Sequence, residues 1–550
     1  MPRMSWLVAA FGLMGAAPLS AAPAARFDFV SYRALDPAPA TPPNSYRNPI
    51  LPGFQPDPSI VRVGRDFYLV TSTFSWFPGL PIYHSTDLVN WRLTGHAIDR
   101  AGQLDFSGRR GNEALFAPAI EHHGGKFWIV NTCIDCGGNY VITSDKAEGP
   151  WSDPVWLDFG GIDPSLVFGE DGRAWIAYND APPGEPLYEG HRAIWLQEFD
   201  PVAMRMKPAR TLLVNGGLAL KDKPVWAEGP HIYRRDGWYY LMAAEGGTAD
   251  RHSETIYRSR TIEGPYEAGP VNPILTQRAM ALNRPDRVEA TGHADLVRLD
   301  DGSWWGVFLA TRPFAGQSTL LGRETFLLPV RWIDGWPRFL DPGEAVPPVV
   351  RRPALPPSPG TDWRQWRDDF DTPLSGEWIR LRTPGARQQW ALDDGALVLL
   401  PGGDDASGRG HPTFVGQRLR HHAAEFTTRL GFMPSAEGDF AGLLAFMDES
   451  HFVTLGVEGS GVVLRRRAQA SEHERGVELA RIARPGAGDI ELRLVLKGGS
   501  ATAFARAAEA SDWRAVGAAI DVEPLASIHG GLFTGLVVGP YAVAGASMGS

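Results

Sequence analysis

Residues 57–70 read DPSIVRVGRDFYLV, and residues 163–178 read DPSLVFGEDGRAWIAY. In both, an acidic residue and Pro-Ser lead into β-branched positions, a Gly-containing turn follows, and an aromatic strand completes a hairpin pattern. The phrase recurs less literally as APAIEHHGGKFWIV from Ala117, EGPHIYRRDGWYYLM from Glu228 and HADLVRLDDGSWWGVF from His293. The five starts lie 60, 46, 65 and 65 residues apart, which leaves room for two more strands per unit. Hairpins at that spacing predict an all-β fold with a five-bladed β-propeller, whose innermost strands line a shared axis.

On this alignment Asp57, Ala117, Asp163, Glu228 and His293 open the inner strands and face one axis. A single Asp before Pro-Ser is an ordinary strand start, since Asx-type turns use it routinely. Three acids in one register exceed what local turn chemistry requires. Crowded carboxyls oppose each other's ionisation, so one is held protonated while another stays a base. Glycoside hydrolysis uses that split: an acid protonates the leaving oxygen and a carboxylate activates water or attacks the sugar. A third carboxyl can raise the pKa of the acid. Calcium sites usually draw their oxygens from one loop, whereas these acids are scattered along the chain.

Composition narrows the partners. The 550 residues are 43% hydrophobic and 21% charged, enough for two domains. With 53 basic and 63 acidic residues the net charge is −10, and no basic run offers a nucleic-acid footprint. The 19 tryptophans suit cores and sugar-stacking subsites alike. Residues 1–25, MPRMSWLVAAFGLMGAAPLSAAPAA, combine Arg3, an apolar run from Trp6 to Ala17 and small residues from Ser20. That is the pattern of a secretory signal peptide, too short for a stable membrane span, so the protein is expected to be exported, to the periplasm or the medium. The two cysteines, Cys133 and Cys136 in NTCIDCGGNY, are too few for a zinc site and read as packed or mutually bonded thiols.

A second domain follows. Residues 341–362 hold seven prolines between Asp341 and Gly360 and read as a stiff connector between a propeller over 46–340 and a unit over 363–550. In the latter, Ile490, Leu492, Leu494 and Leu496 alternate with Glu491 and Arg493, and a Gly-Gly turn follows. Such strands without helical stretches predict an antiparallel β-sandwich.

Ordered motifs from Asn48 onward, including NPILPGFQPDPSIVRVGRDFYLVTSTFSWFPG, GIDPSLVFGEDGR, WAEGPHIYRRDGWYYLMAAEGGT, TGHADLV, LGRETFLLPVRW and FTGLVVG, resemble glycoside hydrolase family 43. The resemblance is to its two-domain β-xylosidases and α-L-arabinofuranosidases. It implies exo-acting, inverting hydrolysis of xylo-oligosaccharides or arabinose-substituted hemicellulose, with a base-to-acid gap of roughly 6.5–9.5 Å. Carried over by motif, Asp57 is the general base, Asp163 the pKa modulator and Glu228 the general acid. The same resemblance sets Phe74 against the terminal sugar, unless it is propeller core, and places Arg323 beside the carboxylates. It gives His252, unless it is a surface residue, to sugar hydroxyls. His293 falls at a channel position with either a structural role or a calcium ion; no cofactor is otherwise required. Phe533 of FTG closes the pocket mouth from the sandwich, which restricts the site to chain ends.

Three departures stand out. Phe116 of LFAPAI replaces a Trp common in the family, CIDCGGN is a local variant, and the chain ends soon after FTGLVVG, so the closing strand of the sandwich is expected to be altered or missing. α-L-Arabinofuranosidase as the main activity, or a catalytically silent sugar-binding propeller, are the alternatives. Nothing in the sequence excludes a homo-oligomer.

Overall fold

The computed structural model describes residues 23–545 apart from Ala279 and Pro285, so the expected signal peptide lies almost wholly outside the described residues. Strands dominate, and the described helices are two single 3-10 turns, Leu220–Asp222 and Glu523–Leu525. None is long and apolar enough to cross a membrane.

Five antiparallel sheets form the propeller, as the repeat predicts. Their inner strands are Ser59–Val63, Ala119–His123, Ile162–Phe168, Glu228–Arg235 and Glu289–Arg298. Blades one, four and five are tied at the axis through Asp295. Its carboxylate accepts hydrogen bonds from Ser59 Oγ at 2.7 Å, the Ile60 amide at 2.8 Å and Tyr233 Oη at 2.6 Å. A buried carboxylate with this many donors makes a directional clasp, which apolar packing alone cannot provide.

The backbone corrects the alignment of the fourth copy. Asp57, Asp163 and His293 lie in the left-handed region, with φ of 53°, 53° and 52°, and in blade four the residue in that conformation is Gly229, at 55°. Asp, His and Gly are the types that tolerate positive φ. Strand pairing slips between Ile162 and Ser165, between Glu228 and His231 and between Gly292 and Asp295, so each kink is a bulge that re-aims side chains. Gly229 is therefore the counterpart of Asp57 and Asp163, and Glu228 stands one residue earlier, level with Ile162. A Cβ on Gly229 would sit 2.9 Å from His293 ring atoms, so only glycine fits there.

The second unit is a sandwich of a nine-stranded and a seven-stranded sheet. Ile490, Leu492, Leu494 and Leu496 face its core as the alternation predicts, each at most 1% exposed. Burial of such a side chain is worth about 1.5–3 kcal/mol. The boundaries differ from the sequence reading in three respects. Ala25–Ala34 is a strand of the sandwich, flanked by Ala423–Gly431 on one side and by Leu397–Leu399 and Gln365–Asp368 on the other. Ala25 is fully buried within that strand. The connector is not merely extended, because Val349–Arg351 pairs with Ser45–Arg47. The closing strand is present as Val537–Val543, buried throughout and paired with Phe440–Asp448.

The two domains share strands and core. Trp76–Phe77 of the propeller pairs with Arg380–Leu381 of the sandwich, and Phe54, Phe74 and Trp76 pack in one cluster with Phe414, Phe446 and Val537.

Candidate active site

A cavity of about 560 Å³ opens at the axis, lined by residues of all five blades and of the sandwich. Asp57, Asp163 and Glu228 all line it, as do Phe74, Phe116, His293, Arg323 and Phe533. Separate blades thus deliver three carboxyl groups to one sugar-sized space.

Their surroundings differ. Asp57 accepts from Arg323 Nη1 at 3.0 Å and from Ser72 Oγ at 2.6 Å, donors that match an ionised carboxylate. Burial raises the Asp163 carboxyl to about 8, helped by the charge of Asp57 and opposed by Arg323 and the Gly229 amide. Glu228 is pushed well above the usual carboxylate range by burial, then by Asp163 and Asp57, with Arg323 and Arg192 opposing. Its strand position leaves part of the side chain facing the open cavity. A carboxylate paired with a guanidinium, beside a buried acid pushed upward by its carboxyl neighbours, is the division that acid–base work on a glycosidic bond needs.

Arg323 also donates to Thr248 Oγ1 at 3.0 Å, and its guanidinium lies 5.2 Å from the Phe533 ring centroid. Glycine brings these two motifs together. A Cβ on Gly535 would meet the Leu321 carbonyl oxygen at 2.4 Å, and one on Gly322 would meet the Gly535 amide nitrogen at 2.8 Å. LGRET and FTG therefore touch backbone to backbone, which only two glycines allow. Phe533 lies 5.6 Å from Phe74 and 5.7 Å from Phe116, so the three rings form one apolar wall. Phe74 is 1% exposed and stacks on Phe54, so it is at once core and cavity lining.

His252 departs from both sequence readings. It is neither at the surface nor in the cavity lining; it is 1% exposed and its Nδ1 meets the Ala290 carbonyl at 3.0 Å. The ring fills the space beside Gly292, where a Cβ would come within 2.7 Å of it, and burial drops its pKa to about 3. It supports the strand that carries His293. His293 Nδ1 lies 3.9 Å from Asp57 Oδ1, and burial lowers the imidazole to about 4. The Asp57 carboxylate beside it is engaged by a guanidinium, and no group of three metal-ligating side chains occurs among the described residues.

Several lining residues escaped the sequence reading, among them Asn179, Arg192, Trp226 and Thr248. Asn179 Nδ2 donates to the Ala227 carbonyl at 2.6 Å and so fixes the residue before Glu228. The signal for Trp226 was its place in VWAEGP, two residues ahead of the acid. Cys133 and Cys136 form a disulfide, and Ile134 between them lines the cavity.

Comparison with known proteins agrees with this geometry. Residues 46–337 match the model of glycosyl hydrolases family 43, and residues 367–550 match that of the beta xylosidase C-terminal concanavalin A-like domain. The chain is 37% identical over 513 residues to a non-reducing end alpha-L-arabinofuranosidase of Bacteroides ovatus, covering 90% of this chain and 91% of that protein. It is 35% identical over 523 residues to a xylosidase/arabinosidase of Humicola insolens, covering 90% and 93%. The crystal structure of a GH43_12 protein retrieved from a capybara gut metagenome superposes with a TM-score of 0.86 at 34% identity, covering 95% of this chain and 99% of that one.

Proposed function

The chain belongs to glycosyl hydrolase family 43 and is a glycoside hydrolase, and from that premise we propose that it removes single xylose or L-arabinose units from the non-reducing ends of hemicellulose oligosaccharides. The observation that carries the reading is the shared cavity in which Asp57 is paired with a guanidinium while burial pushes the Asp163 and Glu228 carboxyls upward.

Asp57 takes a proton from water as that water attacks the anomeric carbon. Glu228 gives its proton to the departing oxygen, so the bond breaks without leaving an alkoxide. Asp163 keeps Glu228 protonated and takes no proton from the substrate. Arg323 orients Asp57 and partly offsets the upward push on Glu228. Attack by water on the face opposite the leaving group inverts the anomeric centre. The aromatic wall of Phe74, Phe116 and Phe533 shuts one side of the cavity, which supports action on chain ends.

The substrate assignment is tested with paired 4-nitrophenyl glycosides. Release from the β-D-xyloside, the α-L-arabinofuranoside or both is expected, and the ratio of the two kcat/KM values assigns the main activity. Hydrolysis of neither would refute the assignment. Proton NMR of the first-formed sugar checks inversion, and a retained anomer would exclude the single displacement.

Export is part of the proposal, supported by the disulfide, which oxidising compartments maintain. N-terminal sequencing of the mature protein is expected to find a start ahead of Ala25; an intact Met1 in the cytoplasmic fraction would contradict it.

A further inference from the structure

Trp226 combines features that ordinary packing does not require. Its backbone is left-handed, at φ 54°, a conformation that a bulky side chain rarely adopts and that is kept where the surroundings enforce it. Its amide donates to the Gly190 carbonyl at 2.9 Å, and a Cβ on Gly190 would lie 3.0 Å from Val225, so the segment leading to Arg192 is clamped against this turn. The indole is nevertheless 37% exposed, and the part left open lines the cavity. The guanidinium of Arg192 lies 4.4 Å from the ring centroid, and Arg192 makes no ion pair among the described residues. The protein thus strains its backbone to hold a large apolar ring at the cavity, with the guanidinium of Arg192 over it.

Position gives this ring a use. Glu228, two residues on, faces the oxygen shared by the terminal sugar and the leaving group. With Glu228 as the acid, Asp57, Arg323 and the phenylalanine wall are left to the terminal sugar, and Trp226 and Arg192, which line the same cavity outside the ring contacts of that wall, are left to the leaving group. We infer that Trp226, backed by Arg192, is the binding platform for the leaving-group sugar ring, resting on the reading of Glu228 as the general acid. The C–H face of a pyranose stacks on the open indole surface, and the guanidinium edge donates to its hydroxyls. The geometry adds a preference for a saccharide leaving group to a site otherwise shaped around the terminal unit.

Two substrates with the same glycone separate this from a structural role. A methyl glycoside needs the same proton from Glu228 but has no ring on the leaving side, whereas the corresponding disaccharide has one. The glycone is β-D-xylosyl or α-L-arabinofuranosyl, whichever the wild-type enzyme hydrolyses faster. Trp226→Ala is expected to lower kcat/KM on the disaccharide by about tenfold or more, the value of one lost aromatic stack, while the methyl glycoside changes by less than about twofold. Trp226→Phe, which keeps a flat ring, is expected to recover part of the loss on the disaccharide alone. Equal losses on both substrates, or no loss on the disaccharide, would overturn the subsite while leaving the catalytic reading intact. A wild-type enzyme inactive on both would overturn the catalytic reading and the subsite with it.

Discussion

Gly229 offers a sharp test of how the propeller aims its acid. Gly229→Ala introduces two separable penalties. The first is conformational: an alanine at φ 55° costs about 1–2 kcal/mol in the left-handed region. The second is steric: the new methyl would sit 2.9 Å from His293 ring carbon and nitrogen atoms, against a comfortable separation of about 3.5–4.0 Å, so one side must yield by roughly 0.6 Å. His293 is buried beside Asp57 and has little room to retreat, so overpacking adds about 1–3 kcal/mol. Gly64→Ala isolates the first penalty, because φ there is 63° and nothing lies within 4 Å of the added methyl. Thermal unfolding of both variants is expected to show a small loss for Gly64→Ala and a loss two to three times larger for Gly229→Ala. Activity divides them further. A sub-ångström displacement of Glu228 is expected to cost Gly229→Ala about 10–100-fold in kcat/KM, while Gly64→Ala keeps wild-type activity. Equal destabilisation of the two, or full activity in Gly229→Ala, would refute the close packing of the fourth inner strand on His293.

Other consequences concern protons and the cavity wall. Glu228→Ala is expected to lose about 10²–10⁴-fold on disaccharides but far less on 4-nitrophenyl glycosides, whose leaving group needs no proton; equal loss on both would remove Glu228 from the acid role. Asp163→Asn deletes the largest charge contribution that keeps Glu228 protonated, so the basic limb of the kcat/KM profile is expected to move to lower pH; an unmoved limb would end the modulator role. The Asp163 carboxyl rises on folding from 3.8 to about 8, so the folded form binds the extra proton. Its stabilisation is complete below the lower value and lost as pH rises through the higher one, so wild type is expected to lose more Tm across that window than Asp163→Asn. Phe533→Ala is expected to raise KM for short substrates by opening the wall it shares with Phe74 and Phe116, and an unchanged KM would remove the sandwich from substrate binding.

Legibility followed the range of the interactions. The five hairpins could be read because strand alternation and turn chemistry are local, and the acids could be read because they sit at fixed offsets within those hairpins. Blade four was misaligned by one residue: EGP and DPS both carry a proline near an acid, and only backbone conformation shows that Gly229 is the kinked position. His252 was misplaced because burial is a tertiary property, decided here by the missing side chain of Gly292. The first strand was invisible for a different reason. ARFDFVSYRA alternates well enough, but its partners Ala423–Gly431 lie some four hundred residues away, and no local signal names them. Trp226 was present in the motif, yet its exposure and its guanidinium partner exist only in the folded chain.

That first strand changes what the sandwich is for. The nine-stranded sheet is built from both ends of the chain, since Ala25–Ala34 lies between Ala423–Gly431 and Leu397–Leu399. The chain then enters the propeller, where Ile50 and Leu51 hydrogen-bond to Thr325 and close blade one onto blade five. Thr325 is two residues beyond Arg323, and Arg323 pairs with Asp57 and packs on Phe533. The Leu536 amide bonds to the Leu320 carbonyl at 2.8 Å and pins the segment carrying Phe533 to the segment carrying Arg323. A continuous path of covalent links and hydrogen bonds therefore runs from the sandwich through the ring closure to the Asp57 carboxylate. The sandwich is structurally part of the site: it fixes the span of the propeller and supplies one of its walls. Loss of its first strand would loosen the closure at Thr325, although that strand touches no substrate.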